Sequence, residues 1–322
     1  MSAPQHWAQI GEAGFLGGMR ALVWVNRVFG RTLFRIALYP VLGYFFLVRG
    51  SARRASLDYL RRLQARHRLF DREPGPCMAW RHFLSFAEAL LDKVLAMGGA
   101  YTLADVDLVG QDAVLPLLAA RRGAVMLTAH VGNLEVCQAL AELQPGLKLN
   151  ILMHLRNATK FNRLLDRQRL AHVRVLAVDE ITPGTAVDLQ ARIEAGEMLV
   201  IAADRPTPGS ARRVHHAPFL GAPAPFPQGP FILASLLRCP VFAVWCTRRG
   251  TRFRIDFELL AGRLERQRGA PANGLGPAIE AYAASLERQC VAAPLQWFNF
   301  HDFWANPQVI SPAGPDEPRR VA

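Results

Sequence analysis

Two residues suited to proton transfer, His130 and Glu135, stand five positions apart in the segment His-Val-Gly-Asn-Leu-Glu. An imidazole exchanges protons near neutral pH, so a histidine can remove a proton from an attacking hydroxyl or amine. A carboxylate beside the ring can fix its tautomer and stabilise the imidazolium that forms. The pair therefore predicts general-base catalysis, with His130 as the base and Glu135 as the residue that orients it.

The residues between this pair are typical of a tight turn into a helix. Gly132 permits backbone conformations that other residues avoid, which would let His130 fold back onto Glu135. Asn133 is a favoured helix N-cap residue, and Glu135 then lies in the first helical turn, where the helix dipole favours a carboxylate. Backbone N–H groups around Gly132 could also stabilise an oxyanion. We therefore expect Gly132 and Asn133 to contact the substrate.

The elements that must position these residues follow from an alternation of short apolar stretches with helical ones. We predict strands at 106–109, 124–129, 149–154, 174–178, 198–203, near 240–247 and at 252–258, and helices at 112–121, 133–143, 158–171, 184–195 and 229–238. This order predicts an α/β fold with a mostly parallel sheet flanked by helices. Catalytic residues of such folds collect at the carboxyl ends of strands, and His130 directly follows one.

The region ahead of this domain is apolar and basic. Residues 36–48 read IALYPVLGYFFLV, which is 13 residues between two arginines, whereas a membrane-spanning helix needs about 20. The start of the chain lacks the order of a cleavable signal peptide, so we expect it to stay attached. We interpret residues 7–66 as an interfacial or hairpin-like membrane anchor. The alternative is a pair of apolar helices that belong to the core.

The domain boundaries follow from these composition changes. A turn-rich break at 71–76 separates an N-terminal helical membrane-associating region, 1–70, from an α/β domain at 77–306. A helix is also predicted from Trp80 to Met97 by its apolar spacing. Residues 307–322, rich in proline, are predicted to be a flexible tail. A long loop is expected after the strand at 198–203, and its stretch 219–230 holds four prolines.

The net charge of the chain indicates which kinds of molecule it could bind. The net charge of +12 and a pI near 10.3 favour anionic partners such as phospholipid headgroups or an acidic carrier protein. We predict no nucleic-acid binding, because the arginines are spread among apolar segments without a recognised reading motif.

The five cysteines are dispersed and His215–His216 lacks a third ligand, so neither a metal site nor a disulfide framework is predicted.

The His-x-x-x-x-Glu motif after a strand resembles the His-x4-Asp/Glu signature of the lysophospholipid acyltransferase superfamily, in particular of its lipid A late acyltransferase branch. Four later blocks stand in the corresponding order: MHLRNATKFNRLLD (153–166), GEMLVIAADRP (196–206), FLGAPAPFPQGPFILASLLRCPV (219–241) and PLQWFNFHDFW (294–304). The start, with HWAQIGEAGFLGG, LYPVLGYFF and ARRASLDYL, is similar to a bacterial sub-group associated with aryl polyene or glycolipid pathways.

This resemblance implies an acyltransferase that takes its acyl group from an acyl-carrier-protein thioester and needs no nucleotide, metal or prosthetic group. The acceptor would be a hydroxyl or amine of a lipid or glycolipid, at the cytoplasmic face of the inner membrane. His130 and Glu135 would form the catalytic dyad. Residues expected to contact the substrate are Arg156 of the second block, Asp204 and Arg205 of the third, and Gly229 of the fourth.

Simpler interpretations of these residues remain open at this point. Arg156 could be an ordinary surface arginine, and Asp204 with Arg205 could form a loop ion pair. The 219–230 loop could be a rigid connection or a wall around the scissile bond. The aromatic residues at 297–304 are expected to pack as core or as an interfacial belt, and His301 among them is expected to be structural.

Two positions depart from the family pattern and leave the acceptor open. Arg205 stands where the lipid A enzymes usually have glutamine, and Gln228 replaces the glutamate of the glycerolipid enzymes' Phe-Pro-Glu-Gly block. The alternatives are an acyl-CoA-dependent glycerolipid acyltransferase and a catalytically silent lipid-binding or assembly protein. A serine hydrolase is not predicted, because the chain lacks a Gly-x-Ser-x-Gly elbow.

Overall fold

The computed structural model describes residues 33, 36, 38–141, 146–153, 172–177, 182–206, 213–267 and 269–304. The helices within these ranges are α1 (38–48), α2 (Gly50–His67), α3 (Pro76–Met97), α4 (Leu115–Ala119), α5 (Leu134–Ala141), α6 (Pro183–Glu194), α7 (Gly229–Leu237) and α8 (Gly276–Ala292). The strands are β1 (Val106–Val109), β2 (Val125–Thr128), β3 (Leu149–Met153), β4 (Val173–Ala177), β5 (Met198–Ala202), β6 (Val214–Phe219), β7 (Ala222–Pro227), β8 (Val241–Arg249) and β9 (Arg252–Ala261).

Seven strands form one sheet in the order β1-β9-β8-β2-β5-β3-β4. The run from β8 to β4 is parallel, whereas β9 is antiparallel to β8 and pairs in parallel with β1. The predicted strands are therefore present, with small shifts at their ends. The prediction of an α/β fold with a mostly parallel sheet is confirmed.

The central strand β2 is buried along its length because both faces of the sheet are covered. Val125 and Leu127 belong to the larger core cluster, which contains residues of α2 and α8, while Met126 between them belongs to the cluster on the opposite face. Side chains of a strand alternate between faces, so a strand covered on both sides has no exposed positions. This burial fixes the end of β2, and with it the place where His130 leaves the sheet.

The expected long loop before α7 is the clearest error in the predicted fold. Strands β6 and β7 form an antiparallel hairpin there, separate from the main sheet. Its prolines fall at every second position of β7, from Pro223 to Pro227. Alternate residues of an antiparallel pair direct their N–H groups away from the partner, so prolines spaced by two need not remove ladder hydrogen bonds. Leu220 and Gly221, both with positive φ, make the two-residue turn.

Two helices also differ from the predictions. The predicted helix at 112–121 is a 3-10 turn, Gln111–Ala113, followed by the short α4, whose second residue is Pro116. Proline is tolerated in the first turn of a helix, where its missing N–H has no partner to lose. Helix α8 was not predicted; its Tyr282 is fully buried and donates a hydrogen bond to the carbonyl of Thr128 at 2.6 Å. The predicted helix at 158–171 lies outside the described residues.

The N-terminal region is divided between core and surface. In α2, Tyr59, Leu60 and Leu63 are fully buried in the larger core cluster. Helix α1 packs on α3 through buried apolar residues, but Tyr44 and Leu47 are 63% and 74% exposed. None of the helices in the described ranges has the length and hydropathy needed to cross a membrane. The first 32 residues and the predicted tail at 307–322 lie outside the described ranges.

Candidate functional site

The pairing of two parallel strands brings His130 next to Asp204. In the register of β2 with β5, Thr128 is paired with Ala202. His130 and Asp204 each follow two residues later, at the carboxyl ends of adjacent strands. Their side chains meet there, with His130 Nδ1 at 2.8 Å from Asp204 Oδ1.

The Asp204 carboxylate is buried and receives three hydrogen bonds. Oδ1 accepts from His130 Nδ1, and Oδ2 accepts from the His130 backbone N–H at 3.0 Å and from the Trp297 indole at 3.2 Å. Burial by itself would raise the pKa of Asp204, but the charge and hydrogen bonds of His130 and the charge of Arg205 outweigh burial and lower it. Asp204 is therefore a carboxylate at neutral pH.

This carboxylate determines which nitrogen of His130 can act as a base. An ionised carboxylate only accepts hydrogen bonds, so Nδ1 must carry the proton in the neutral ring. Nε2 then has the free lone pair. The His130 side chain is 43% exposed, whereas that of Asp204 is 1% exposed. The buried Asp204 fixes one nitrogen of the ring, and the side chain remains partly exposed to solvent. Such a ring is suited to taking a proton from a bound hydroxyl or amine.

Glu135 has a different partner from the one expected. Its Oε1 is paired with Lys93 Nζ of α3, and the side chain is 22% exposed. Burial opposes ionisation, but the Lys93 charge and hydrogen bond, with a smaller effect of His130, lower the pKa of Glu135. The carboxylate that is hydrogen-bonded to the imidazole is therefore that of Asp204. Glu135 lies near enough to His130 for their charges to interact.

The loop after His130 is fixed by backbone contacts with β8 and with the segment at 296–298. Gly132 N–H donates to the carbonyl of Gln296 at 2.7 Å, and Asn133 N–H donates to that of Cys246 at 2.8 Å. Gly132 has a φ of +61°, and a Cβ at this position would overlap the Cys246 carbonyl. Both amides are therefore engaged within the protein, and an oxyanion site around Gly132 stays a prediction that would need other backbone N–H groups.

Asn133 directly precedes helix α5, as predicted, but its side chain does not cap the helix in the usual way. Its Nδ2 donates to the carbonyl of Ala89 in α3 at 2.9 Å, and its buried Oδ1 has no hydrogen-bond partner. The Ala89 carbonyl fixes the orientation of the amide, because the reversed amide would place two acceptors together. Asn133 therefore ties α3 to the loop.

A buried histidine in α3 supports the same loop from the other side. His82 Nε2 lies 2.9 Å from the carbonyl of Trp297, and its Nδ1 lies 2.9 Å from the Ser56 hydroxyl. A carbonyl only accepts, so Nε2 carries the proton and the Ser56 hydroxyl donates to Nδ1. Trp297 in turn donates to Asp204. Hydrogen bonds thus connect Ser56 of α2, through His82 and Trp297, to Asp204, which is the partner of His130.

Of the remaining predicted site residues, Arg205 and Gly229 lie within the described part of the chain. Arg205 Nη2 donates to the Phe298 carbonyl at 2.7 Å, and burial lowers the pKa of this guanidinium despite the charge of Asp204. Burial, followed by the Arg205 charge, lowers the pKa of His301 to about 4. Gly229 is exposed at the start of α7, and within the described part of the chain it takes no part in the hydrogen bonds of His130 and Asp204. Arg156 lies outside the described residues.

Sequence analysis missed two residues that hold this site together. Lys93 gave no signal of its own, because a single lysine on an amphipathic helix is typical of a solvated face. Trp297 is expected from the sequence to pack as core or in an interfacial belt, and in the structure it is fully buried in the core. The signal available for Trp297 was its polar N–H, because a buried indole needs an acceptor and Asp204 supplies one.

Comparison with known proteins gives the class of the enzyme. Residues 93–306 match the family of bacterial lipid A biosynthesis acyltransferases. The matched range begins at Lys93 and contains His130, Asp204 and Trp297. No individual curated protein matches the sequence significantly. Because the family match covers well over half of the chain, this protein belongs to the bacterial lipid A biosynthesis acyltransferase family and is a lipid acyltransferase.

Proposed function

We propose that this protein transfers a fatty acyl group from an acyl-carrier-protein thioester to a hydroxyl or amine of a lipid or glycolipid, with His130 as general base. The observation that carries the proposal is the half-exposed His130 ring, whose Nδ1 is hydrogen-bonded to the buried Asp204 at the carboxyl ends of two parallel strands. Membership of the lipid A acyltransferase family supports the choice of substrate.

The proposed reaction is a direct transfer. Nε2 of His130 takes the proton of the acceptor hydroxyl or amine while the acceptor atom attacks the thioester carbonyl carbon. The tetrahedral intermediate then expels the thiolate, and the imidazolium returns its proton to the departing sulfur. The ionised Asp204 stabilises the imidazolium between these steps. Proton transfer of this kind commonly contributes about a hundredfold to ten-thousandfold in rate.

Glu135 supports this base from a second position. Its negative charge interacts with His130, and Lys93 keeps it ionised. We therefore assign the tautomer and orientation of the ring to Asp204, and a long-range electrostatic contribution to Glu135. An electrostatic contribution transmitted through space is smaller than that of a direct hydrogen bond. Glu135→Gln should accordingly lower kcat less than Asp204→Asn does.

We propose a location at the cytoplasmic face of the inner membrane because of the proposed carrier-protein donor, and the exposed surface supports association with a membrane. The exposed side chains of α1, such as Tyr44 and Leu47, provide an apolar surface, and the net charge of +12 attracts anionic lipids. The same charge would steer an acidic carrier protein toward the enzyme. The N-terminal helical region would thus act as a membrane anchor.

The first experiment measures acyl transfer from radiolabelled acyl-carrier protein and, in parallel, from acyl-CoA into a membrane lipid extract. Wild type is compared with His130→Ala, with Glu135→Ala, and with His172→Ala as a histidine control outside the site. We expect transfer from the carrier protein that collapses in His130→Ala with folding intact. Unchanged transfer in that variant would contradict the mechanism.

The two alternative functions are separated by the same assay. Transfer only from acyl-CoA into a glycerolipid would identify a glycerolipid acyltransferase. The absence of transfer from either donor, together with lipid binding in a separate vesicle sedimentation measurement, would identify a catalytically silent lipid-binding or assembly protein. The family match and the paired His130 and Asp204 favour catalysis over that last outcome.

A further inference from the structure

A positively charged side chain lies at the same end of the sheet as His130. Arg205 directly follows Asp204 beyond the carboxyl end of β5, and its Nη2 donates to the Phe298 carbonyl at 2.7 Å. The N–H group of Phe298 donates in turn to the His130 carbonyl at 2.8 Å. A single residue therefore connects the Arg205 guanidinium with the backbone of His130, and the orientation of the guanidinium is fixed before a substrate binds.

The charge of Arg205 is not balanced by a carboxylate. Asp204 uses its oxygens for His130 and Trp297, and Arg205 forms no ion pair within the described part of the chain. Burial outweighs the attraction of the Asp204 charge and lowers the pKa of Arg205, although a guanidinium remains protonated in proteins. A partly buried cation without a counter-charge is unfavourable, and a bound anion would offset this cost. Three arginines of β8 and β9 differ from Arg205, because each is paired with an aspartate: Arg248 with Asp92, Arg252 with Asp107, and Arg254 with Asp256.

One nitrogen of the Arg205 guanidinium is available to a ligand. Nη2 is engaged with Phe298, and Nε is buried without a partner. Nη1 has no hydrogen bond to any described residue and is not buried. The N–H groups of a guanidinium form their strongest hydrogen bonds with negatively charged oxygen atoms. Nη1 can therefore bind an anionic oxygen that approaches from solvent, and this bond would also balance the charge.

The proposed reaction creates one negative charge to which no residue has been assigned. Asp204 stabilises the imidazolium of His130, whereas the thioester oxygen becomes an oxyanion in the tetrahedral intermediate. The backbone N–H groups of Gly132 and Asn133 are engaged within the protein. The oxyanion therefore needs a donor from another part of the site, and Arg205 has one that is not in use.

We propose that Arg205 Nη1 forms an anion site beside His130 and stabilises the oxyanion of the tetrahedral intermediate, an inference that rests on the proposed function. As the acceptor atom bonds to the thioester carbon, the electron pair of the carbonyl π bond moves onto the oxygen. When this pair returns, the carbon–sulfur bond breaks and the thiolate leaves. The proton passes from the acceptor through His130 to sulfur, so Arg205 stays protonated throughout. Donors that are oriented in advance stabilise such an oxygen most effectively.

The binding of two matched phosphonates tests the anion site without turnover. Methyl decylphosphonate carries a negative charge on a tetrahedral phosphoryl group, and dimethyl decylphosphonate has nearly the same shape without the charge. Their affinities for the full chain are measured by isothermal titration calorimetry at physiological ionic strength, below the micelle concentration. Arg205→Gln removes the charge, and Arg263→Gln, at an exposed position after β9, is the matched control. Arg205→Met replaces the first variant if Arg205→Gln does not fold.

We expect the wild type and Arg263→Gln to bind the charged monoester at least about tenfold more tightly than the neutral diester, and Arg205→Gln to lose this preference. A preference that persists in Arg205→Gln would overturn the anion site. The same conclusion would follow if the wild type showed no preference, or no binding of the monoester at about 1 mM. An equal loss of affinity for both phosphonates in Arg205→Gln would also overturn it, because Arg205 would then act only through its contact with Phe298.

Steady-state transfer from acyl-carrier protein identifies the anion. Arg205→Gln should lower kcat about 100-fold or more and change KM less than about threefold, since an oxyanion exists only during the reaction. Arg205→Lys keeps a positive charge and should retain more activity than Arg205→Gln. A raised KM with an unchanged kcat would place a substrate phosphate at Arg205 and overturn the assignment to the oxyanion. If the phosphonate preference depended on Arg205 but the wild type transferred no acyl group, the anion site would be confirmed and the proposed function would fail.

Discussion

At the scale of single residues, the proposed mechanism depends most directly on the hydrogen bond between Asp204 and His130. Asp204→Asn keeps an acceptor for Nδ1 but removes the negative charge that stabilises the imidazolium. We expect kcat to fall by about 10²- to 10⁴-fold with little change in KM, as measured by steady-state transfer from acyl-carrier protein. Asp188→Asn, a surface carboxylate paired with Arg192, is the control. A kcat within twofold of wild type would contradict the role of Asp204.

A second residue-scale prediction concerns the pH dependence of stability. Burial lowers the pKa of His82 to about 4, below the value of about 6.5 in the unfolded chain. The unfolded state therefore binds more protons than the folded state between these values. The stability that His82 contributes is complete above pH 6.5 and is lost as the pH falls toward 4. The loss from His82 between pH 7 and pH 5 is about 2 kcal/mol.

His82→Gln should remove this part of the pH dependence. Urea denaturation at pH 7 and at pH 5 would show a smaller difference for the variant than for wild type. Some dependence will remain, because the pKa of His301 is lowered in the same direction. His216→Gln, at an exposed strand position, serves as the control and should leave the difference unchanged. An unaltered pH dependence in His82→Gln would contradict the assignment.

At the scale of elements, the turn between β2 and α5 requires glycine for two separate reasons. Gly132 has a positive φ, and a side chain there would overlap the Cys246 carbonyl of β8. Gly132→Ala should therefore lower the free energy of unfolding by about 2–4 kcal/mol and reduce activity more than a hundredfold. Thermal denaturation and the transfer assay would measure the two effects.

A second glycine with a positive φ allows the effect of the close contact at Gly132 to be separated from the effect of its backbone conformation. Gly99 also has a positive φ, but a Cβ there would meet open space. Gly99→Ala should cost only about 1 kcal/mol and leave activity intact. Equal effects at the two positions would show that the close contact with β8 is unimportant.

At the scale of the whole molecule, apolar surface and positive charge are both expected to drive membrane association. Replacing Tyr44 and Leu47 by serine removes exposed apolar surface from α1 without touching its buried side. We expect the partition coefficient onto anionic vesicles to fall about tenfold or more, as measured by vesicle sedimentation. Added salt should weaken vesicle binding by the wild type and by the α1 variant, because part of the attraction is electrostatic.

The control for this prediction is another exposed apolar residue on a different part of the surface. Val187 of α6 is 70% exposed, and Val187→Ser should leave vesicle binding unchanged. If the α1 variant bound vesicles as well as wild type did, the anchor would have to lie elsewhere in the chain. The activity of the α1 variant toward a water-soluble acceptor should be retained in either case.

The hairpin shows why local sequence patterns predicted most elements but not all of them. Apolar runs such as β2 and β5 are buried on both faces, so their composition alone identified them as strands. The alternate prolines of β7 led to the prediction of a loop instead of a strand, because a high proline content is typical of loops. Only the pairing with β6 showed that those prolines lie where no ladder hydrogen bond is required.

The sequence by itself determined the α/β class, the position of His130 at the end of a strand, and the resemblance to lipid A acyltransferases. Each of these depends on local composition or on a short motif. The partners of the proposed catalytic residues, His130 and Glu135, were decided only by the tertiary structure. Asp204 is 74 positions from His130, and Lys93 is 42 positions from Glu135. Strand register and helix packing bring such residues together, and neither can be read from the spacing of residues along the chain.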